Sequence, residues 1–197
     1  MPARSNALSE LTRFWLESRH GCSIRESIPV PVPYALSDID LLAVRPDARK
    51  FKLPSGDDLA PRVIVETKDE HDFDANGKDF GKRLASDVAL MAGGRFIPAK
   101  TKGVGFVMLR EEHFQVAAAV FGTDDFDRLF VVHAMDRETL EKHEQMLRQQ
   151  RVYWITAKEL LRDLLEWYPS VERPAGLRNC LVGDLFHLLF GYCGAKL

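Results

Sequence analysis

The stretch V-I-V-E-T-K at residues 63–68, together with S-D-I-D-L-L at 37–42, decides the fold that we expect for this chain. Each is a short apolar run with ionisable residues inside it, and each predicts a strand in a buried sheet. Side chains alternate along a strand, so Glu66 and Lys68 share one face of theirs, and Asp40 projects from the other strand. A desolvated carboxylate is unfavourable unless it is paired or binds a metal ion. These positions therefore indicate a functional site.

Composition limits the class of protein. The chain has 197 residues, 46% of them hydrophobic and 28% charged, which is typical of a globular domain. The net charge is −2, so no overall basic character marks a nucleic-acid binder, although a local basic surface remains compatible with it. Three cysteines without C-x-x-C spacing argue against a zinc site or a disulfide framework. With no apolar leader and no membrane-length stretch, we expect a cytoplasmic protein that does not contact membranes.

Periodicity predicts an α/β fold with a mixed central sheet flanked by helices. Helices are predicted over 5–19, 80–92, 136–150, 157–168 and 179–192. Strands or extended segments are predicted over 24–34, 36–45, 62–68, 103–109, 112–122, 129–133 and 152–155. The segment 112–122 is compatible with a helix or a strand, and a strand is favoured. We expect one domain over 1–197, with a core of about 5–135 and a C-terminal α/β extension of about 136–197 that carries extra helices.

The two charged strands are predicted to be adjacent and antiparallel, joined by a hairpin over 46–61. Asp40 and Glu66 would then lie close together on one face of the sheet. Two carboxylates suit Mg²⁺, which prefers oxygen ligands and retains several waters. Such an ion polarises a phosphoryl oxygen and lowers the pKa of a bound water, and Lys68 could neutralise the developing charge. The backbone carbonyl of Thr67, between Glu66 and Lys68 in the sequence, is a natural further ligand.

This pattern resembles the PD-(D/E)xK nuclease superfamily, which has the restriction-endonuclease-like fold. The family pattern is a helix with a glutamate, a strand that ends in a metal-binding aspartate, and a strand with E-x-K. Here those elements are Glu10, Asp40 and the stretch 66–68. The resemblance covers roughly residues 8–110, and the interval from Glu10 to Gly21 also matches branches of the family.

The resemblance implies Glu10, Asp40, Glu66 and Lys68 as catalytic residues, and Mg²⁺ or Mn²⁺ as the cofactor. Asp40, Glu66, the Thr67 carbonyl and Glu10 would hold the metal ion. Several alternatives stay open at this point. Glu17 lies on the same helix as Glu10, and either glutamate could be a surface residue. Asp38, on the same face as Asp40, could support the metal ligands or simply begin the strand, and Asp40 with Lys68 could form a structural ion pair.

Two further segments suggest partners. Arg95, Lys100 and Lys102 lie in a stretch with no acidic residue and form a predicted phosphate-binding strip, with a solvated loop as the alternative. The apolar helix 179–192 either completes the core or forms a homodimer interface.

Together these observations predict a metal-dependent nuclease that hydrolyses phosphodiester bonds, with DNA as the expected substrate. One alternative is a catalytically idle protein of the same fold that binds nucleic acid or a protein partner. Another is a structural or regulatory α/β domain in which the charged strands have no catalytic role.

Overall fold

A mixed five-stranded sheet organises the chain in the computed structural model, which describes residues 7–32, 35–68, 78–135, 138, 141–168 and 181–191. Its strand order is β1-β2-β5-β6-β7, and a small separate hairpin is formed by β3 and β4. The strands are β1 (Ser23–Val32), β2 (Ala35–Val44), β3 (Phe51–Lys52), β4 (Asp58–Leu59), β5 (Arg62–Lys68), β6 (Asp127–Val132) and β7 (Val152–Thr156). The α/β fold with a mixed central sheet is confirmed.

Helices cover both faces of this sheet. They are α1 (Ala7–Phe14), α2 (Lys78–Leu90), α3 (Glu111–Phe121), α4 (Glu144–Gln149), α5 (Ala157–Trp167) and α6 (Leu181–Gly191). A π-helical turn, Trp15–Arg19, continues α1, and a 3-10 turn, Val107–Leu109, precedes α3. None of the helices within the described residues has the length and apolar character needed to cross a membrane.

Strand β2 runs in the opposite direction to the other four strands of the sheet. β1 and β2 are antiparallel, β2 and β5 are antiparallel, and β5, β6 and β7 run parallel. The predicted antiparallel pairing of the two charged strands is therefore confirmed. Because β7 pairs with β6, the C-terminal segment adds a strand to the same sheet instead of forming a separate unit.

Two apolar layers hold the sheet. One layer lies under α2 and α3 and includes Phe80, Phe106 and Phe130, whose rings pack edge to face or tilted. The other lies under α1, α5 and α6 and is centred on Trp15, whose indole N–H donates to Asp163 at 2.8 Å. Each layer buries large aromatic side chains together with aliphatic ones.

The first two strands exchange faces at one position. Ser27 has a φ of 48°, in the left-handed region, and lies opposite Asp40 in the register between the pairs Glu26↔Leu41 and Ile28↔Ile39. Ile28 and Ile39 pack into the α2–α3 layer, whereas Leu41 packs into the opposite layer, so simple alternation is interrupted here. This local distortion sets the direction of the Asp40 side chain.

Two strand predictions were wrong. Residues 103–109 form a loop that ends in the Val107–Leu109 3-10 turn, and 112–122 is covered by helix α3. Phe106, Met108 and Leu109 of this segment are buried, and the Asp87 carboxylate accepts the N–H groups of Gly105 and Phe106 in place of strand pairing. α3 has acidic residues in its first turn and ends at Gly122 with a φ of 68°, which are ordinary helix signals.

Most of the remaining boundaries agree closely with the predictions, but the predicted helix 136–150 is interrupted by a turn at 142–143, and α4 covers Glu144–Gln149. Thr156 caps α5 in a capping box with Glu159. The first two residues of the predicted helix 5–19 lie outside the described residues. The last helix buries Phe186 and leaves Leu181 and Leu185 more than half exposed, so one side of it completes the core.

Candidate active site

A buried ion pair forms the centre of the candidate site. Glu66 is only 4% exposed, and its Oε1 lies 3.0 Å from Nζ of Lys68. The Met108 N–H donates to Oε2 of Glu66 at 3.1 Å. The alternation of β5 thus places Glu66 and Lys68 on one face, as predicted, and each carboxylate oxygen of Glu66 has a defined donor.

Asp40 lies next to this pair, across the gap between β2 and β5. The pairing of these strands runs from Val44↔Arg62 to Leu41↔Val65, so the next residues are Asp40 and Glu66. Oδ2 of Asp40 accepts the Thr67 N–H at 2.7 Å and the Thr67 hydroxyl at 3.1 Å. A side chain therefore replaces strand pairing at the point where the two strands separate.

The hydrogen bond from the Thr67 N–H to Asp40 also indicates the direction of the Thr67 carbonyl. The N–H and C=O of one residue in an extended strand point to the same side. Because the Thr67 N–H reaches Asp40, its carbonyl also lies on the β2 side of β5. The backbone oxygen proposed as a metal ligand is thus placed on the edge that Asp40 occupies.

The charges of the three residues act on one another. Burial raises the pKa of the Glu66 carboxyl, Lys68 lowers it, and the neighbouring charge of Asp40 raises it again. Burial also raises the pKa of Asp40, against the hydrogen bonds from Thr67 and the charge of Lys68. A divalent cation bound between two such close carboxylates would offset their mutual repulsion and favour their ionised forms.

A loop that sequence reasoning missed completes this site. The Asp87 side chain is fully buried and accepts N–H bonds from Gly105 at 3.0 Å and from Phe106 at 2.6 Å. Asp87 thereby fixes the loop that brings the Met108 N–H to Glu66. One signal was present in the sequence: Asp87 falls on the apolar face of α2, three residues after Leu84 and seven after Phe80.

The two glutamates of the first helix differ in their surroundings. Glu17 lies 3.2 Å from Arg13, which also contacts Glu26 at 2.7 Å, so Glu17 belongs to a surface cluster of ion pairs. Glu10 is half-buried, on a helix whose apolar side packs in the layer opposite to Phe80. The role of Glu10 as a metal ligand stays a prediction.

The three residues of the predicted phosphate-binding strip, Arg95, Lys100 and Lys102, differ in their surroundings. Arg95 lies 3.3 Å from Asp124 and stacks over the Phe114 ring at 4.8 Å. Asp124 precedes β6, which is parallel to β5, so Arg95 lies toward the end of the sheet away from Lys68. Lys100 and Lys102 are exposed. Arg95 therefore pairs with Asp124 and does not lie beside Asp40 and Glu66.

A histidine packs beside the aspartates of β2. His113 is 1% exposed, and its Nε2 lies 2.9 Å from the Ser37 hydroxyl. Burial lowers the pKa of His113 from 6.5 to about 4, so the ring is neutral at pH 7. The charge of Asp38 opposes that shift, and it also raises the pKa of Asp40.

The neutral His113 predicts acid sensitivity. The pKa of His113 is about 4 in the folded protein and 6.5 in the unfolded chain. Between these two pH values the unfolded chain binds more protons, so the free energy of unfolding falls as the pH falls. We expect His113→Gln to reduce the drop in unfolding free energy between pH 7 and pH 5 by about 2 kcal/mol. Urea denaturation at both pH values measures this difference. Ser37→Ala is the control, because it removes a hydrogen bond but no titrating group, and an unchanged drop in His113→Gln would contradict the prediction.

Within the described residues, no group of three or more His, Cys, Asp or Glu side chains is placed to hold a metal ion. The site therefore offers two carboxylates, Asp40 and Glu66, and the backbone oxygen of Thr67. Comparisons with protein-family models, curated proteins and solved structures give no match to this chain. The interpretation of the site depends on its own chemistry.

Proposed function

We propose that this chain is a metal-dependent nuclease of the PD-(D/E)xK type that hydrolyses phosphodiester bonds in DNA. One observation carries the proposal: a buried Glu66–Lys68 pair lies beside Asp40 where β2 and β5 separate. The predicted alternative, a structural ion pair of Lys68 with Asp40, does not describe the site, since Lys68 lies 3.0 Å from Glu66. Buried, coupled ionisable groups of this kind concentrate at functional sites.

The donor set fits Mg²⁺ or Mn²⁺, since all the donors are hard oxygens. Asp40, Glu66 and the Thr67 carbonyl would hold the ion, without Glu10, because the described residues contain no group of three acidic side chains placed for a metal ion. When bound, such an ion lowers the pKa of a coordinated water and polarises a phosphoryl oxygen. Oδ1 of Asp40 accepts no hydrogen bond from the described residues and is oriented by the two bonds that Thr67 donates to Oδ2.

Lys68 has two tasks in this proposal. In the resting site its ammonium group offsets the charge of Glu66 at 3.0 Å. During hydrolysis it would orient the attacking water and stabilise the charge that develops on the phosphate. Its side chain is 24% exposed, compared with 6% for Glu66, so it can reach a substrate while Glu66 stays fixed by Met108.

DNA would approach through Lys100 and Lys102, in the loop that joins α2 to the site. Arg95 would take part only by leaving Asp124. The exposed leucines of α6 are the surface through which we propose that a homodimer forms, and the buried, reduced Cys22 suits a cytoplasmic location.

A second candidate is an idle member of the same fold that binds nucleic acid or a protein. The observation in its favour is that both oxygens of Glu66 already have protein donors, Lys68 and Met108. In that case the pair would hold the loop before α3 in place and would bind no metal ion.

Metal binding separates the two candidates. We expect Mn²⁺ to stabilise the protein against thermal unfolding, by about 2.7 kcal/mol at a hundredfold excess over its Kd. Asp40→Asn and Glu66→Gln should remove this stabilisation, and electron paramagnetic resonance should show that they release the ion. Glu166→Gln, which changes an exposed carboxylate on α5, is the matched control. A wild-type protein that neither binds nor is stabilised by Mn²⁺ would favour the idle candidate.

A further inference from the structure

The two edges of the sheet are protected differently. β1 carries Pro29 and Pro31, which cannot donate to another strand, and the distorted Ser27 interrupts it further. The opposite edge, β7, contains no proline over Val152–Thr156. An unblocked edge strand is a template for pairing with another chain.

The main chain of β7 has one outward-facing residue at the centre of the strand. The Arg128 N–H donates to the Arg151 carbonyl at 2.9 Å, which fixes the phase of the parallel pairing with β6. Tyr153 consequently points its main-chain groups at β6, and Trp154 points its N–H and C=O at the free edge. The next outward N–H, that of Thr156, is already occupied by Glu159 at 2.9 Å. The available edge is therefore short and centred on Trp154.

A cavity of about 440 Å³ lies along this edge. Its floor is formed by three consecutive residues of β7, Tyr153, Trp154 and Ile155. One wall is the tip of the β3–β4 hairpin over 53–57, and the other is the start of α4 with Arg148. Tyr153 and Trp154 pack against opposite layers of the sheet, so the Tyr153 ring faces the side of Asp57 and Arg148, and the main chain of the strand lies between the two side chains.

The walls are strongly acidic. Among the described residues that line the cavity, four carry carboxylates, Asp57, Glu141, Glu144 and Glu159, and one, Arg148, carries a guanidinium. Arg148 bridges the two walls, at 3.1 Å from Asp57 and 2.7 Å from Glu144. Its charge is thus shared by two acids, and the lining keeps a net negative charge that favours a cationic occupant.

We propose that this cavity, the β7 groove, binds an extended peptide segment that carries lysine or arginine. The segment adds beside β7 through the N–H and C=O of Trp154, and a basic side chain lies between the carboxylates and the ring of Tyr153. The partner is therefore a basic, extended stretch of a protein. This proposal stands independently of the nuclease site, which lies among β2, β5 and the loop before α3.

A labelled hexapeptide of alternating valine and lysine tests the proposal by fluorescence anisotropy with the full chain. We expect saturable binding that weakens as salt rises, since exposed charges are screened. The double variant Glu141→Gln/Glu144→Gln should weaken binding about fivefold, because an exposed ion pair contributes up to about 1 kcal/mol. Glu166→Gln, with its carboxylate on the exposed side of α5, should bind the peptide as the wild type does.

Two further probes separate the main-chain and charge contributions. The same peptide with its central valine N-methylated keeps its charge but lacks one main-chain donor, and it should bind more weakly. A peptide of alternating valine and glutamate should not bind. Equal binding of the N-methylated peptide, binding of the acidic peptide, or no saturation by the lysine peptide would each overturn the proposal. None of these results depends on Mn²⁺ or on cleavage, so the failure of either proposal leaves the other testable.

Discussion

Replacement of Lys68 by alanine, or of Asp40 by asparagine, should reduce Mg²⁺-dependent cleavage of DNA by a factor of about 10³ or more. Loss of one group that stabilises transition-state charge in a water-excluded site has an effect of this order. Single-turnover assays on a labelled duplex and on its single strands measure the effect and report strandedness. Lys158→Ala, an exposed lysine of α5, is the matched control for the loss of a positive charge. Full activity of either site variant would rule out the proposed assignment.

The melting temperature of Asp40→Asn distinguishes a loss of activity from a failure to fold. Because burial raises the pKa values of Asp40 and Glu66, their ionised forms are unfavourable at neutral pH in the folded protein. The folded chain therefore binds protons more tightly than the unfolded chain does. The free energy of unfolding consequently rises as the pH falls toward the pKa values that these two carboxyls have in the unfolded chain. Asp40→Asn should consequently melt at or above the wild-type temperature at pH 7 without metal. An inactive Asp40→Asn protein with a much lower melting temperature would point to misfolding.

Much of the fold could be predicted because its strongest strands are local patterns. The boundaries of β5, Arg62–Lys68, and the capping of α5 by Thr156 depend on residues close in sequence. The segment 103–122 could not be predicted in this way. A short apolar run is compatible with a strand, a helix or a buried loop, and only tertiary contacts choose among them. Here the choice depends on Asp87, which lies 18 residues before Gly105.

The site was predictable where strand alternation holds. Glu66 and Lys68 are two positions apart on a regular strand, so their contact follows from the period of two. Asp40 lies where the faces exchange, opposite Ser27, and its bond to the Thr67 N–H could not be inferred from alternation. The Met108 N–H that binds Glu66 is 42 residues away in sequence, and no local pattern indicates it.

Asp87→Ala should be the most destabilising single substitution that we propose. It removes the acceptor for the Gly105 and Phe106 N–H groups, and each buried amide without a partner is unfavourable by about 1–3 kcal/mol. The expected loss in unfolding free energy is therefore roughly 2–6 kcal/mol. Urea denaturation measures this loss, and amide hydrogen exchange should show Gly105 and Phe106 losing protection first.

Asp87→Asn tests whether the acceptor or the charge matters. The asparagine oxygen can still accept from Phe106, and burial already raises the pKa of Asp87 and disfavours its charged form. Asp87→Asn should therefore keep most of the stability that Asp87→Ala loses. Ser86→Ala, the neighbouring exposed position on α2, controls for changes in helix propensity. If Asp87→Ala unfolds at the wild-type urea concentration, the loop over Glu66 does not depend on Asp87, and the Met108 N–H must be positioned by the Val107–Leu109 turn alone.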